Sequence, residues 1–391
     1  MGQTLSEPIT TKESASCANK VFSVGSSCMQ GWRTTMEDAH THLLSLPDDP
    51  NTAFFAVYDG HGGAKVSQYA GIHLHKNIVQ QQEYKDGDIE GALKKGFLGM
   101  DDKMRADEEM KDDGSGTTAV VVLVQRDTVY CGNVGDSRAV LSECGKAIPL
   151  SYDHKPDNEE EQRRIIAAGG FVDCKRVNGN LALSRALGDF GFKNNQNLPP
   201  EKQLVTAFPD VIRENIQDDH EFIVLACDGI WDVMSNQEVI DFCRDRLAAG
   251  REPQIICEEL LTRCLAPDAQ MQGLGCDNMT VVLVCLLRGL EEKDFVEKCS
   301  RPSRYQPTKN PGFHDQNEPP VVVLANVPNP QSPSPMETDR PSAQTEVVAE
   351  VPSADPASDT LSSPSDYHTP QPSPHPTQIE EDERPPTEFH A

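Results

Sequence analysis

Two apolar runs of strand length end abruptly in an acid and a glycine. Residues 53–58, Ala-Phe-Phe-Ala-Val-Tyr, lead straight into Asp59-Gly60-His61-Gly62-Gly63, and residues 222–227, Phe-Ile-Val-Leu-Ala-Cys, into Asp228-Gly229. Such runs belong inside a core, yet each delivers a carboxylate where it stops. Comparable Val-rich runs recur at 118–124, 128–131, 139–141 and 279–287, bounded by Gly, Asn or Asp as strands are. Helical patterns lie between them at 65–81, 89–105, 158–168, 239–248 and 253–265. Ile89, Leu93, Phe97 and Met104 follow the spacing of one helix face, and Pro156-Asp157 precedes the 158–168 pattern as a start signal. Strands cluster in sequence without strict alternation with helices. The expected class is therefore α+β: antiparallel sheets with helices outside.

Other acids share the placement of Asp59 and Asp228. Asp277 stands just before the run 279–287, Asp136 lies in Gly135-Asp136-Ser137-Arg138 between two short strands, and Glu37-Asp38 follow Gly31-Trp32-Arg33. A carboxylate at a sheet rim has a fixed backbone and can converge with others. Several in one cleft repel each other and are stabilised when divalent cations sit between them. Hard oxygen donors suit Mg²⁺ or Mn²⁺. Gly60 lets the backbone approach a cation, and its carbonyl can serve as a ligand. A single Asp-Gly is more often a turn than a ligand; the weight lies in the constellation.

The 391 residues carry a formal net charge of −27, which repels nucleic-acid phosphates and anionic lipid surfaces at long range. Prolines divide unevenly, 10 in residues 1–300 and 19 in 301–391. Residues from about 302 onward cannot pack a core and are expected to be disordered. The run 320–326, Pro-Val-Val-Val-Leu-Ala-Asn, is the apolar exception there, and Ser332, Ser334, Ser363, Thr369 and Ser373 each precede Pro. None of the 12 Cys forms a C-x-x-C pair, so the expectation is reduced, mostly buried thiols. No apolar stretch approaches the roughly 18 residues that span a bilayer. Met-Gly2-Gln-Thr-Leu-Ser6 fits the pattern for myristoylation of Gly2. With no polybasic second signal, one acyl chain gives only weak, reversible membrane association.

Residues 21–290 resemble the catalytic domain of the metal-dependent serine/threonine protein phosphatases, the type 2C family. The carriers, in order, are Gly31-Trp-Arg33-Thr-Thr-Met-Glu37-Asp38, Phe55-Ala-Val-Tyr-Asp59-Gly60-His61-Gly62-Gly63, Ser115-Gly-Thr-Thr118, Asn133-Val-Gly-Asp136-Ser-Arg138, Leu183-Ser-Arg185-Ala-Leu-Gly188-Asp189, Leu225-Ala-Cys-Asp228-Gly229-Ile-Trp231-Asp232 and Asp277-Asn278-Met-Thr280. The match is close to the animal cytosolic members, which share the Met-Gly start. It implies two antiparallel β-sheets packed as a central sandwich with α-helices on both sides. It also implies a domain plan: a flexible lead 1–20, a catalytic domain 21–290, and a linker with an acidic Pro/Ser-rich tail over 291–391.

The resemblance further implies hydrolysis of phosphoserine and phosphothreonine in signalling proteins. A metal-activated water attacks phosphorus in line, without a covalent phosphoenzyme. Asp59 resembles the carboxylate bridging two Mn²⁺ or Mg²⁺ ions; Asp228 and Asp277 look like ligands of one ion, Glu37 and the carbonyl of Gly60 of the other. Asp136 and Asp232 resemble ligands of a weaker third ion, although Asp232 could instead cap the helix beginning near Ser235. Asp38 binds through water or holds Arg33. Arg33 looks like the phosphate-binding residue, its fork matched to two oxygens, and His61 is similar to the general acid. A cysteinyl-phosphate route is disfavoured because no Cys sits in a C-x5-R phosphate loop.

Several motif residues also carry ordinary structural readings. Gly62-Gly63 turn the chain, residues 115–118 start a strand, and His154 is structural. Asp189 and Arg185 flank the cleft, or Asp189 forms a buried pair with Arg138. The implied partners are phosphoprotein substrates, not nucleic acid, with regulatory proteins on the tail; the implied state is a monomer in the cytoplasm and the nucleus. A catalytically dead scaffold is disfavoured by the intact ligand set, and a nucleotide phosphoesterase by the acidic balance.

Overall fold

The computed structural model describes residues 4–269 and 273–305. Gly2, the run 320–326 and the Ser-Pro and Thr-Pro sites of the tail lie outside the described residues. Strands β1 (Thr4–Ala18), β2 (Phe22–Arg33), β3 (Ala39–Leu43), β4 (Thr52–Tyr58), β5 (Ala119–Gln125), β6 (Thr128–Val134), β7 (Arg138–Glu143), β8 (Lys146–Pro149), β9 (Asp210–Asn215), β10 (His220–Ala226) and β11 (Met279–Leu286) form the two large sheets. One sheet is six-stranded in the order β1-β2-β11-β10-β7-β8, the other five-stranded in the order β9-β6-β5-β4-β3. All of their ladders are antiparallel.

Alternation along the strands explains why the runs are apolar throughout. In β4, Ala53, Phe55 and Val57 point between the sheets, where they meet Val282, Val284, Ile223 and Leu225 of the other sheet. Phe54, Ala56 and Tyr58 point outward, onto α1 (Lys65–Gln80) and α2 (Ile89–Ala106). Successive side chains face opposite sides of a strand, so a strand covered on both faces has no polar positions. The six-stranded sheet is covered likewise by α4 (Asn236–Ala248), α5 (Pro253–Cys264) and α6 (Glu292–Cys299). A further helix, α3 (Glu159–Ala167), stands apart from these layers with its own small cluster around Ile165 and Val205. The result is the sandwich with helices on both sides.

The strands that sequence reading omitted are instructive. β2 reads Phe-Ser-Val-Gly-Ser-Ser-Cys-Met-Gln-Gly-Trp-Arg, poor in strand formers. Its small residues serve close packing: a Cβ on Gly25 would lie 2.7 Å from the Cα of Gln254, at the start of α5. The lead expected to be flexible is different too. Residues 4–18 form the edge strand β1, paired with β2 from Ala18↔Ser23 to Thr4↔Arg33 with irregularities near Ile9. Backbone pairing with β2, not burial, gives this polar segment its structure, since most of its side chains face outward.

The boundary at 290 also shifts. α6 lies beyond it and belongs to the fold: Phe295 and Cys299 are buried in the core under the six-stranded sheet. Lys298 Nζ donates to the His220 carbonyl at 2.6 Å. Phe295 and Cys299 are four residues apart and so share one helix face. Replacing Phe295 by Ala should cost about 3 kcal/mol, read as a lower urea midpoint with an unchanged slope.

Candidate active site

One end of the sandwich gathers the acids. Asp59 directly follows β4, Asp228 follows β10 after Cys227, Asp277 precedes β11, Asp136 lies in the turn between β6 and β7, and Glu37-Asp38 link β2 to β3. Both sheets thus contribute rims to one cleft of about 420 Å³, lined by Arg33, Glu37, Asp59, Gly60, His61, Asp136, Asp228 and Asp277 among others. Carboxylate oxygens of Asp59, Asp136 and Asp228 lie within 4.8 Å of one another, and those of Asp38 and Asp59 lie equally close to the Cys227 thiol.

Burial, then the neighbouring carboxylates, push Asp59 and Asp228 well above the usual carboxylate range. Burial also lifts Asp38 to about 7, although the Thr280 hydroxyl donates to it at 2.7 Å. Its other oxygen, Oδ1, is buried with no hydrogen-bond partner among the described residues. Crowded, desolvated oxygen donors with an orphaned acceptor form a set that a hard divalent cation would satisfy.

The remaining candidates are placed as follows. Arg33 Nη2 donates to the Asp277 carboxylate at the cleft rim. The Glu37 carboxylate lines the cleft but accepts from the Gly63 N–H at 3.0 Å and the Thr35 hydroxyl at 2.8 Å. Asp136 is paired with the Lys155 ammonium, whose pKa is raised because the charges of Asp136, Asp228 and Asp232 outweigh its burial. Asp232 lies near enough to Asp136 and Lys155 to feel both, and burial with Asp136 lifts it to about 6. It does not cap α4: Ser235 does, in a reciprocal box with Glu238. His61 lines the cleft, with Nε2 2.7 Å from Asp189 Oδ2. Burial opposes charging of His61, but the Asp189 carboxylate outweighs it and the pKa is raised.

Two alternatives left open by the sequence are decided. Arg138 does not meet Asp189; its Nε and Nη2 donate to Asp153 at 3.0 and 2.8 Å, and its Nη1 donates to Asn236 at 2.6 Å. His154 is tied into structure, accepting from the Gly135 N–H at 3.2 Å and lying 3.0 Å from Asp210. Cys257 and Arg263 have the C-x5-R spacing, but both ride on α5 and Cys257 is 1% exposed in the core, so no phosphate loop forms there.

A mostly buried ion network gathers around Arg185, two residues after the cleft-lining Leu183. Arg185 Nη2 donates to Glu161 Oε1 at 2.7 Å and its Nη1 to Asp210 at 2.7 Å, while Arg164 Nη1 donates to Glu161 Oε2 at 2.7 Å. Burial opposes ionisation of Glu161, but Arg185 and Arg164 hold it down at about 2. Its folded pKa is depressed, so its contribution is full above the unfolded value near 4.5 and is lost as pH falls toward 2. Glu161→Gln should therefore cost about 3 kcal/mol at pH 7. The gap from the native chain in urea midpoint should close as pH drops from 5 to about 2.

Charge crowding at Asp59 makes a second prediction, free of catalysis. In chelator, Asp59→Asn should melt above the native protein by a few degrees, because one repelling charge is gone. Millimolar Mn²⁺ should raise the melting temperature of the native protein by several degrees and that of the variant much less. A calorimetric or dye-based melt checks both.

Comparison with known proteins agrees with this arrangement. The profile described as Protein phosphatase 2C matches residues 22–273. A Caenorhabditis elegans protein named probable protein phosphatase 2C T23F11.1 is 68% identical over 318 residues, covering 81% of this chain and 89% of its own. Protein phosphatase 2C homolog 2 of Schizosaccharomyces pombe is 51% identical over 299 residues, covering 75% and 81%. Among solved structures, a phosphatase from a pathogenic strain of Toxoplasma gondii superposes with a TM-score of 0.61 at 28% identity, covering 71% of this chain and 96% of that one. With that profile over most of its sandwich and the acids at the sheet ends, this chain belongs to the protein phosphatase 2C family.

Proposed function

We propose that this chain is a metal-dependent protein serine/threonine phosphatase, whose own residues hold, orient and protonate a phosphoester in the cleft between the sheet rims. The observation that carries the reading is the convergence of the Asp59, Asp136 and Asp228 carboxylates, half-buried or buried and mutually repelling, in the cleft that the Arg33 guanidinium also lines. Asp59 would be shared by two Mn²⁺ or Mg²⁺ ions, with Asp228 and Asp277 on one, and Glu37 and the Gly60 carbonyl on the other. Asp38 supports the set from behind. Asp136 and Asp232 would hold a weaker third ion, in competition with Lys155 for Asp136. Cations bound there would offset the carboxylate charge, draw the phosphoryl oxygens and make a bound water more acidic.

The protein groups complete the chemistry. Arg33, on the rim and exposed enough to exchange partners, offers its fork to two phosphoryl oxygens. His61, lining the same cleft, is the donor of a proton to the departing seryl or threonyl oxygen. The β4 strand fixes Asp59 and, through it, the register of Gly60 and His61. No thiol is placed to attack: Cys227 is buried, accepts from the Thr280 N–H at 3.1 Å, and has a pKa raised far above the usual thiol value by burial and the acids around it.

The same reading includes acylation at Gly2, residence in cytoplasm and nucleus, and regulatory proteins as partners of the tail. Phosphate release from a phosphothreonine peptide should rise with Mn²⁺ and vanish in chelator. Asp228→Asn should lower kcat by at least about 100-fold, a loss comparable to that of a major electrostatic contact in a transition state. Chelator-resistant release, or an unaffected variant, would overturn the reading.

A further inference from the structure

The pair formed by His61 and Asp189 is built with unusual care for two residues 128 positions apart. A three-stranded sheet of two-residue strands makes it, in the order Leu187–Gly188, Gly116–Thr117, Gly60–His61. Its ladders align Gly188 with Gly116, and Gly116 with His61. Gly116 therefore sits between the two partners. A Cβ there would strike the Asp189 carboxylate and lie 2.5 Å from His61 Nε2, so this position is open only to glycine.

Asp189 itself is held in the left-handed region, with φ 51°, a conformation that costs most side chains energy and that Asn and Asp tolerate best. Its N–H donates to the Ser115 carbonyl at 3.1 Å, and its side chain is only 5% exposed. Backbone strain and a glycine-only gap both serve one contact, the 2.7 Å approach of Oδ2 to His61 Nε2. The imidazole has two nitrogens. With Nε2 directed at a carboxylate, it carries the hydrogen of that bond, and Nδ1 is the nitrogen left to address the cleft.

We propose that Asp189 is a positioning residue: it fixes the His61 ring so that Nδ1 faces the leaving oxygen of the phosphoester. The inference rests on His61 as proton donor and adds the group that aims it. A water oxygen bonds to phosphorus and gives up one proton to solvent, and the bond from phosphorus to the seryl or threonyl oxygen breaks. The electron pair departs with that oxygen, which takes the proton from His61 Nδ1. The neutral imidazole keeps its Nε2–H on Asp189. A carboxylate that locks ring orientation in this way acts on the alkyl leaving group, which needs protonation, and hardly on p-nitrophenolate, which does not.

The test uses the full chain in Mn²⁺ with a phosphothreonine peptide and with p-nitrophenyl phosphate. Asp189→Asn keeps the left-handed backbone accessible. It should lower kcat on the peptide about 10- to 100-fold, with KM within about twofold, while the aryl rate falls far less. Added to His61→Gln, Asp189→Asn should cost no more than about a further twofold, because residues acting through one group are not additive. Gly116→Ala, which wedges the pair apart without altering either partner, should give the same preference for the aryl substrate.

The two readings fail separately. Equal losses of His61→Gln on both substrates would overturn the assignment of His61 as acid. A selective His61→Gln with Asp189→Asn equally harmful to both substrates, or fully additive in the double variant, would overturn the positioning role alone. Should Asp189→Asn fail to fold, Gly116→Ala decides: equal loss on both substrates refutes, and selective loss of the peptide supports.

Discussion

Like charges in a poorly solvated pocket repel, and this chain crowds Asp38, Asp59, Asp136 and Asp228 into one end of its sandwich. Nothing in a hydrophobic core would assemble such a group. The strands do so because their apolar faces hold them in register on both sides, leaving the residues at their ends no freedom to spread apart. The cluster therefore stores unfavourable energy that the packing of Phe55, Val57, Val282 and Leu225 must offset. The architecture and the cation requirement are one problem seen from two sides: stiff strands concentrate negative charge, and concentrated negative charge selects hard cations.

Much of this was legible in the sequence. Residues 53–58 and 222–227 announced strands covered on both faces, since they lacked the alternation of a half-solvated strand. The Asp after each could then be placed at a rim. The apolar pattern marks the helix only from residue 239, whereas its capping box, Ser235 with Glu238, starts it at Asn236. What escaped were elements shaped by contact and not by their own composition. β2 is rich in Gly and Ser because α5 presses on it, and β1 is a strand because β2 offers it an edge; neither reason is visible in either segment alone.

The same limit applies inside the cleft. Asp59, Asp228 and Asp277 could be picked out because a local pattern marks each. The pairing of Lys155 with Asp136 and of His61 with Asp189 could not, since the partners are joined through turns and two-residue strands that carry no periodicity. The motif marks Asp189 but not its partner, and by sequence Arg138 serves as well. Only the small sheet around Gly116 shows that His61 is the neighbour, and only the fork of Arg138 on Asp153 shows where that arginine is engaged.

The sheet order has a consequence for how the enzyme comes into being. β11, the last strand among the described residues, does not lie at an edge; it is inserted between β2 and β10. Asp277 stands two residues before its start, while β2 was synthesised some 250 residues earlier. On the ribosome, the six-stranded sheet must therefore wait with a gap in its middle until the C-terminal strand has emerged. Contacts so distant in sequence close slowly, and an open gap exposes two unpaired edges meanwhile. A nascent chain halted at residue 278 would hold every cleft acid yet lack the strand that joins β2 to β10, so competence arrives late.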